Sequence, residues 1–180
     1  MEERYIRNLG ALTEEECALL RTKTVFVAGC GGLGGYLIEM LLRLGVGAIR
    51  AADGDAFEAS NLNRQLLSSP QALGHSKAEA AAARAAQVNP EVRFEAIPAF
   101  VTEENAARLI RGCDAVLGAL DNIGARRTLA RACAKAGARS PRFPRRKLPP
   151  PPIFSAVLIS PRRRSRSCSS TAFTPSRRTP

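Results

Sequence analysis

At 180 residues the chain is long enough to bury one hydrophobic core, and its formal charge of +11 points first towards nucleic acid or an anionic membrane. The distribution of that charge removes the inference for most of the chain. Residues 1–138 hold 16 Lys+Arg against 16 Asp+Glu, whereas residues 139–180 hold 11 Lys+Arg and no acid.

Glycine and proline divide at the same place. All 14 glycines precede position 139 and nine of the 12 prolines follow it. The five cysteines include no C-x-x-C pair, which argues against a zinc site or a disulfide framework and for thiols in a reducing compartment. No apolar run approaches the ~20 residues of a membrane span. The polar start Met1-Glu2-Glu3-Arg4-Tyr5 has no apolar stretch behind it, so the expected location is the cytoplasm.

Taken in chain order, Thr13 followed by Glu16 reads as a capping box opening a helix that ends near Arg21, with Cys17, Leu19 and Leu20 turned inward. Residues 24–28 are short, apolar and β-branched, as in a buried parallel strand. A glycine-rich turn (Gly29, Gly31, Gly32, Gly34) leads into a helix over 33–44, with Leu37, Met40, Leu41 and Leu44 on its inner stripe and Gly45 and Gly47 closing it. Residues 48–52 form a second strand with Asp53 at its end.

A polar loop follows, and then an alanine-rich helix over 76–88 stopped by Asn89-Pro90. Residues 92–97 alternate like a strand, 102–111 read as a helix capped by Thr102, 115–120 as a strand, and 123–136 as a helix closed by Gly137. This alternation predicts a doubly wound, Rossmann-like α/β fold with a mostly parallel sheet and an N-terminal helix. After residue 138 Arg, Pro and Ser dominate, and only 153–160 has the composition of a strand. A segment of this kind buries too little apolar surface to offset chain entropy, so 139–180 are expected to be disordered.

The strand–Gly29-x-Gly31-Gly32-x-Gly34–helix arrangement is a nucleotide-phosphate fingerprint. Glycines admit the tight turn and the close approach of phosphate, and the helix N-terminus supplies free N–H groups. Asp53 stands where an acid takes ribose hydroxyls. On these features alone a nicotinamide-dependent dehydrogenase fits equally well, and packing alone also produces glycine-rich turns.

Further motifs separate these possibilities. Arg4-Tyr5-x-Arg7-Asn8, Asp53-x-Asp55, Ser60-Asn61-Leu62-Asn63-Arg64-Gln65, Lys77, Asn89-Pro90 and Asp121-Asn122 occur in the order and spacing of one family. From about Arg4 to Gly137 the chain resembles the ThiF/MoeB/HesA adenylyltransferases, relatives of ubiquitin-activating enzymes. The resemblance implies ATP with Mg²⁺, a homodimer, and a ubiquitin-like or sulfur-carrier protein whose C-terminal Gly-Gly carboxylate attacks the α-phosphate to give an acyl-adenylate and pyrophosphate. It places Arg64 and Lys77 along the phosphates and Asp121 on Mg²⁺, and makes Arg7 an arginine reaching into the partner subunit's site. Gly32 would lie against the nucleotide, Asp53 on the ribose and Asn61 near the phosphates. Asp55, Ser60, Asn63 and Asn122 complete the implied nucleotide set.

Taken singly, Arg7, Arg64 and Lys77 are ordinary solvated charges and Asp121 an ordinary helix cap; their joint order is what singles them out. His75 reads as a turn residue. No cysteine inherits the family's acyl-accepting role, and its paired C-x-x-C zinc motifs are absent from this sequence.

The family pattern stops where the composition changes. GC-rich DNA read out of frame accounts for an acid-free Arg/Pro/Ser tail without aromatic–basic interleaving, and a genuine basic tail for RNA or an acidic partner is the alternative. In the first case the sheet lacks its second half and the strand at 115–120 is left as a bare, aggregation-prone edge. An adenylating enzyme therefore stands beside a second reading, an inactive nucleotide-binding remnant or a binding module with a basic tail.

Overall fold

The computed structural model describes residues 2–137 and the backbone of Leu158 and Ile159. The expected disorder and the frame change over 139–180 concern residues that, those two apart, lie outside the described ones.

Four short segments form the parallel part of the sheet: β1 (Thr24–Ala28), β2 (Ala48–Ala52), β3 (Arg93–Ile97) and β4 (Ala115–Gly118). Their order is β3-β2-β1-β4, and β5 (Leu158–Ile159) adds an antiparallel fifth strand beside β4. The bare edge expected at 115–120 is therefore corrected, since Val116 and Leu117 pair with Ile159 and Leu158. Those two residues fall within the one tail segment whose composition suits a strand.

Helices cover both faces, which is why β1 is apolar at every inner position. Val25 and Val27 face one core with Ile38 and Leu42 of α2 (Gly32–Leu44) and Ala81 and Ala85 of α3 (Lys77–Val88). Phe26 and Ala28 face the other, with Leu109 of α4 (Ala106–Leu109) and Leu129 and Cys133 of α5 (Ile123–Lys135). Alanines at 78, 81 and 85 are all fully buried and let α3 lie close to its neighbours. Truncating the fully buried Phe26 in this two-sided core would cost about 3–5 kcal/mol.

The N-terminal helix α1 (Glu14–Leu20) has the expected capping box between Thr13 and Glu16. Before it, a 3-10 segment (Glu3–Asn8) is tied to the body by Asn89, whose amide donates to Tyr5 Oη (2.7 Å) and to the Leu42 carbonyl (2.9 Å) while its oxygen accepts from Arg4 (2.8 Å).

Three expectations need correction. Leu19 is 49 % exposed and Met40 57 % exposed, because α1 is a short surface helix and α2 turns Ile38 and Leu42 inward instead. The helix expected over 102–111 shrinks to four residues, since the Asn105 side chain accepts from the Thr102 N–H and donates to the Phe100 carbonyl, holding a turn there. Among the described residues no helix is long and apolar enough to cross a membrane.

Candidate functional site

β1 has β2 on one side and β4 on the other, so chain connections leave it in both directions. At such a switch point the loops after neighbouring strands part and leave a crevice at the strands' carboxyl ends. Here the crevice is a cleft of about 1190 Å³, lined by Gly29, Gly31 and Gly32 after β1, by Asp53 and Asp55 after β2, and by Asp121 and Asn122 after β4.

The glycines divide by task. Gly29 has φ +93°, and a Cβ there would lie 2.7 Å from the Ala119 carbonyl oxygen. A Cβ on Gly34 would lie 1.8 Å from the Gly29 carbonyl oxygen, so this glycine closes the turn onto the first turn of α2. Gly31 and Gly32 have room, with nearest atoms at 3.6 and 3.9 Å, and face the cleft. The N-terminal end of α2 thus opens on the cleft with free N–H groups and the positive end of its dipole.

Asp53 ties the wall together: one carboxylate oxygen accepts from the Cys30 N–H (2.7 Å) and the other from the Asp55 N–H (2.9 Å). Lys77, the first residue of α3, is 7 % exposed and pairs with Asp55 at 3.2 Å. Burial first, and then the Asp53 charge, pushes the Cys30 thiol far above its ordinary value, with Lys77 opposing. Cys30 is therefore a protonated packing group, not a nucleophile.

Across the cleft Arg64 is exposed, donating to the Ser60 carbonyl (2.7 Å) and Asn63 Oδ1 (3.0 Å). Asn61 is 6 % exposed and accepts from the Glu58 N–H, shaping the loop that carries Arg64. Asn122 accepts from the Ala125 N–H and caps α5, leaving Asp121 exposed at the cleft.

The structure thus brings together Gly29, Gly31, Gly32, Asp53, Asp55, Arg64, Lys77, Asp121 and Asn122 around the cleft, with Gly34 behind Gly29 and outside the lining. Ser60, Asn61 and Asn63 are outside the cleft lining, Ser60 and Asn63 accepting hydrogen bonds from Arg64. Arg7 is also outside it. The 3-10 segment that bears Arg7 docks beside Leu42, ten residues past Gly32, or ~15 Å along α2 from the glycine turn.

Among the lining residues that the sequence reading did not assign to the site are Gln65, Phe100 and Arg126. Gln65 is 8 % exposed with its Oε1 unpartnered, Phe100 is 62 % exposed at the rim, and Arg126 donates to the Leu120 carbonyl. Gln65 stands inside the polar motif, next to Arg64. Phe100 and Arg126 carry no local signal. Exposed His75 sits in its turn, away from the lining.

The sequence profile of the ThiF family matches residues 4–145. The chain belongs to the ThiF family. It is 41 % identical over 118 residues to the mouse adenylyltransferase and sulfurtransferase MOCS3, covering 66 % of this chain and 26 % of that protein. It is 40 % identical over 107 residues to the sulfur carrier protein adenylyltransferase of Thermus thermophilus, covering 59 % of this chain and 40 % of that one. The E. coli tRNA N6-threonylcarbamoyladenosine dehydratase TcdA in complex with ATP superposes with a TM-score of 0.71 at 32 % identity, over 74 % of this chain and 55 % of that one. The chain thus spans from about a quarter to about half the length of these relatives.

Proposed function

We propose that this ThiF-family chain adenylates a carboxylate, the substrate being the C-terminal Gly-Gly carboxylate of a ubiquitin-like or sulfur-carrier protein. The observation that carries the proposal is that open glycines, two cations and a carboxylate line one cleft. These are the open glycines at the α2 N-terminus, the cations Lys77 and Arg64, and Asp121. A dinucleotide site needs the glycines and Asp53. Joining two anions, a carboxylate and a triphosphate, needs the additional cations as well.

In this reading ATP lays its phosphates along Gly31 and Gly32, its ribose against Asp53, and its charge towards Lys77 and Arg64. Asp121 is an exposed carboxylate beside that path. Mg²⁺ bound by phosphates needs only one or two protein carboxylates, and Asp121 fits that role. Among the described residues no group of three His, Cys, Asp or Glu is placed to hold a metal ion. Mg²⁺ would offset phosphate charge. The protein's part is to orient the α-phosphorus for in-line attack and keep water from competing.

Arg7 is outside the lining of its own cleft, on a segment whose Tyr5 is held through Asn89 at the Leu42 end of α2. An arginine there serves a second copy of the chain, which makes a homodimer part of the proposal.

A second substrate class takes its support from TcdA, whose named substrate also carries a carboxylate but on tRNA. One experiment separates the readings. ATP labelled at the α-phosphate is supplied with Mg²⁺ and a Gly-Gly-ended carrier, with tRNA bearing threonylcarbamoyladenosine, or with neither. Label appearing on the carrier supports the proposal. Turnover only with the tRNA moves the substrate to the second class. Tight NAD binding with no ATP binding by calorimetry would sink adenylation altogether.

A further inference from the structure

Lys77 is held in an unusual way for a surface-domain lysine. Its side chain is only 9 % exposed, its ammonium meets Asp55 Oδ2 at 3.2 Å, and its backbone N–H donates to the Asp55 carbonyl at 3.0 Å. Asp55 is in turn fixed by its own N–H on Asp53 Oδ1, and Asp53 by the N–H of Cys30 in the glycine turn. An unbroken series of hydrogen bonds therefore runs from the glycine turn to the first residue of α3.

A flexible four-carbon amine loses entropy when fixed, and a buried ammonium without a counter-charge is costly. Asp55 answers both. Its main chain sets where α3 begins, and its carboxylate aims the ammonium along the cleft wall. The Asp55 side chain is itself 56 % exposed, so the pair is open to a ligand from the cleft side. No second carboxylate stands within ion-pair distance of Lys77 among the described residues.

We infer that Asp55 is a positioning residue, holding Lys77 aimed at the nucleotide phosphates rather than binding nucleotide itself. The inference rests on the proposed ATP site for its ligand, but the pairing stands without it.

The test uses the full chain with Asp55→Ala, Asp55→Asn, Lys77→Met and Asp55→Ala/Lys77→Met. In wild type, Asp55→Ala should weaken MgATP binding about tenfold, within the range of coupled neighbours, and leave adenosine binding unchanged. Asp55→Asn keeps an acceptor oxygen and should restore most of the loss. In the Lys77→Met background, Asp55→Ala should cost nothing further. An additive cycle, a parallel loss for adenosine, or an Asp55→Asn as poor as Asp55→Ala would overturn the inference.

A nucleotide-free measurement keeps it testable if wild type binds no ATP. Reductive methylation read by mass spectrometry should leave Lys77 protected in wild type and Asp55→Asn, and modified several-fold faster in Asp55→Ala. Equal protection in all three would refute the positioning role. Failure of wild type to bind ATP, with the protection pattern intact, would refute the proposed function only.

Discussion

The glycine turn can be dissected by adding single methyl groups, because the structure assigns different work to neighbouring glycines. At Gly34 a Cβ would lie 1.8 Å from the Gly29 carbonyl oxygen and 2.7 Å from its carbon. Both are main-chain atoms, so no rotamer change relieves the overlap and the turn must open. Overpacking of this kind costs about 2–3 kcal/mol, which lowers the melting temperature of a domain this size by roughly 10 °C. At Gly32 the nearest atom is 3.9 Å away and the residue is the first of α2. A methyl there fits the fold and gains about 0.5 kcal/mol of helix propensity, but it stands where the phosphates approach. Gly32→Ala should therefore melt at or slightly above wild type while binding MgATP at least tenfold more weakly. Gly34→Ala should lose stability first. Paired thermal melts and calorimetry read both quantities. If Gly34→Ala melts like wild type, or Gly32→Ala binds ATP normally, the division between turn-closing and phosphate-facing glycines is wrong.

Two other expectations follow from buried side chains. Asn89→Ala strips partners from Tyr5, Arg4 and the Leu42 carbonyl together and should cost about 2–3 kcal/mol in urea unfolding. Hydrogen exchange over residues 3–8 should rise in this variant, and an unchanged rate would show that the N-terminal segment docks by other contacts. Cys30 is more basic in the fold than its ordinary 9.0. The native state thus keeps a proton that the unfolded chain releases, and stability should fall as pH rises above about 9. Cys30→Ala should flatten that fall, and a slope identical to wild type would remove the thiol from the account.

Strand β1 was readable because a parallel strand covered on both faces is apolar nearly throughout and needs no choice of face, and β2 departs from that only at Arg50, which is half-buried and paired with Glu95. Helix α3 was readable from Ser76 and Asn89, which cap and stop it through local hydrogen bonds. Helix α2 was readable as a helix but not in its orientation. Its apolar residues cover more than one stripe, and only the position of the sheet decides that Ile38 and Leu42 are buried and Met40 is not. Helix α4 was overextended because the Asn105 side chain binds the main chain on both sides of the turn, a competition invisible to periodicity. In the site, motif order picked out Lys77 and Arg64, but the burial of Lys77 and its bond to Asp55 are tertiary facts. Likewise Asn61 reads as a phosphate neighbour from its motif, while the structure uses it to shape the loop behind Arg64. Phe100 reaches the cleft only because Gly54 leaves room beneath its ring.

The most direct test of carboxylate adenylation is ATP–pyrophosphate exchange by the purified full chain with Mg²⁺ and a carrier ending in Gly-Gly. Exchange should require the carrier and fall about a hundredfold or more in Arg7→Ala, with ATP affinity retained, since an arginine acting at the transition state matters little to ground-state binding. Mixing Arg7→Ala with Asp121→Ala subunits should restore part of the activity, because one mixed cleft regains both residues. Exchange by a monomer that is indifferent to Arg7→Ala would contradict the role across subunits, and ATP binding without any exchange in the presence of a competent carrier or tRNA substrate would contradict adenylation by this chain.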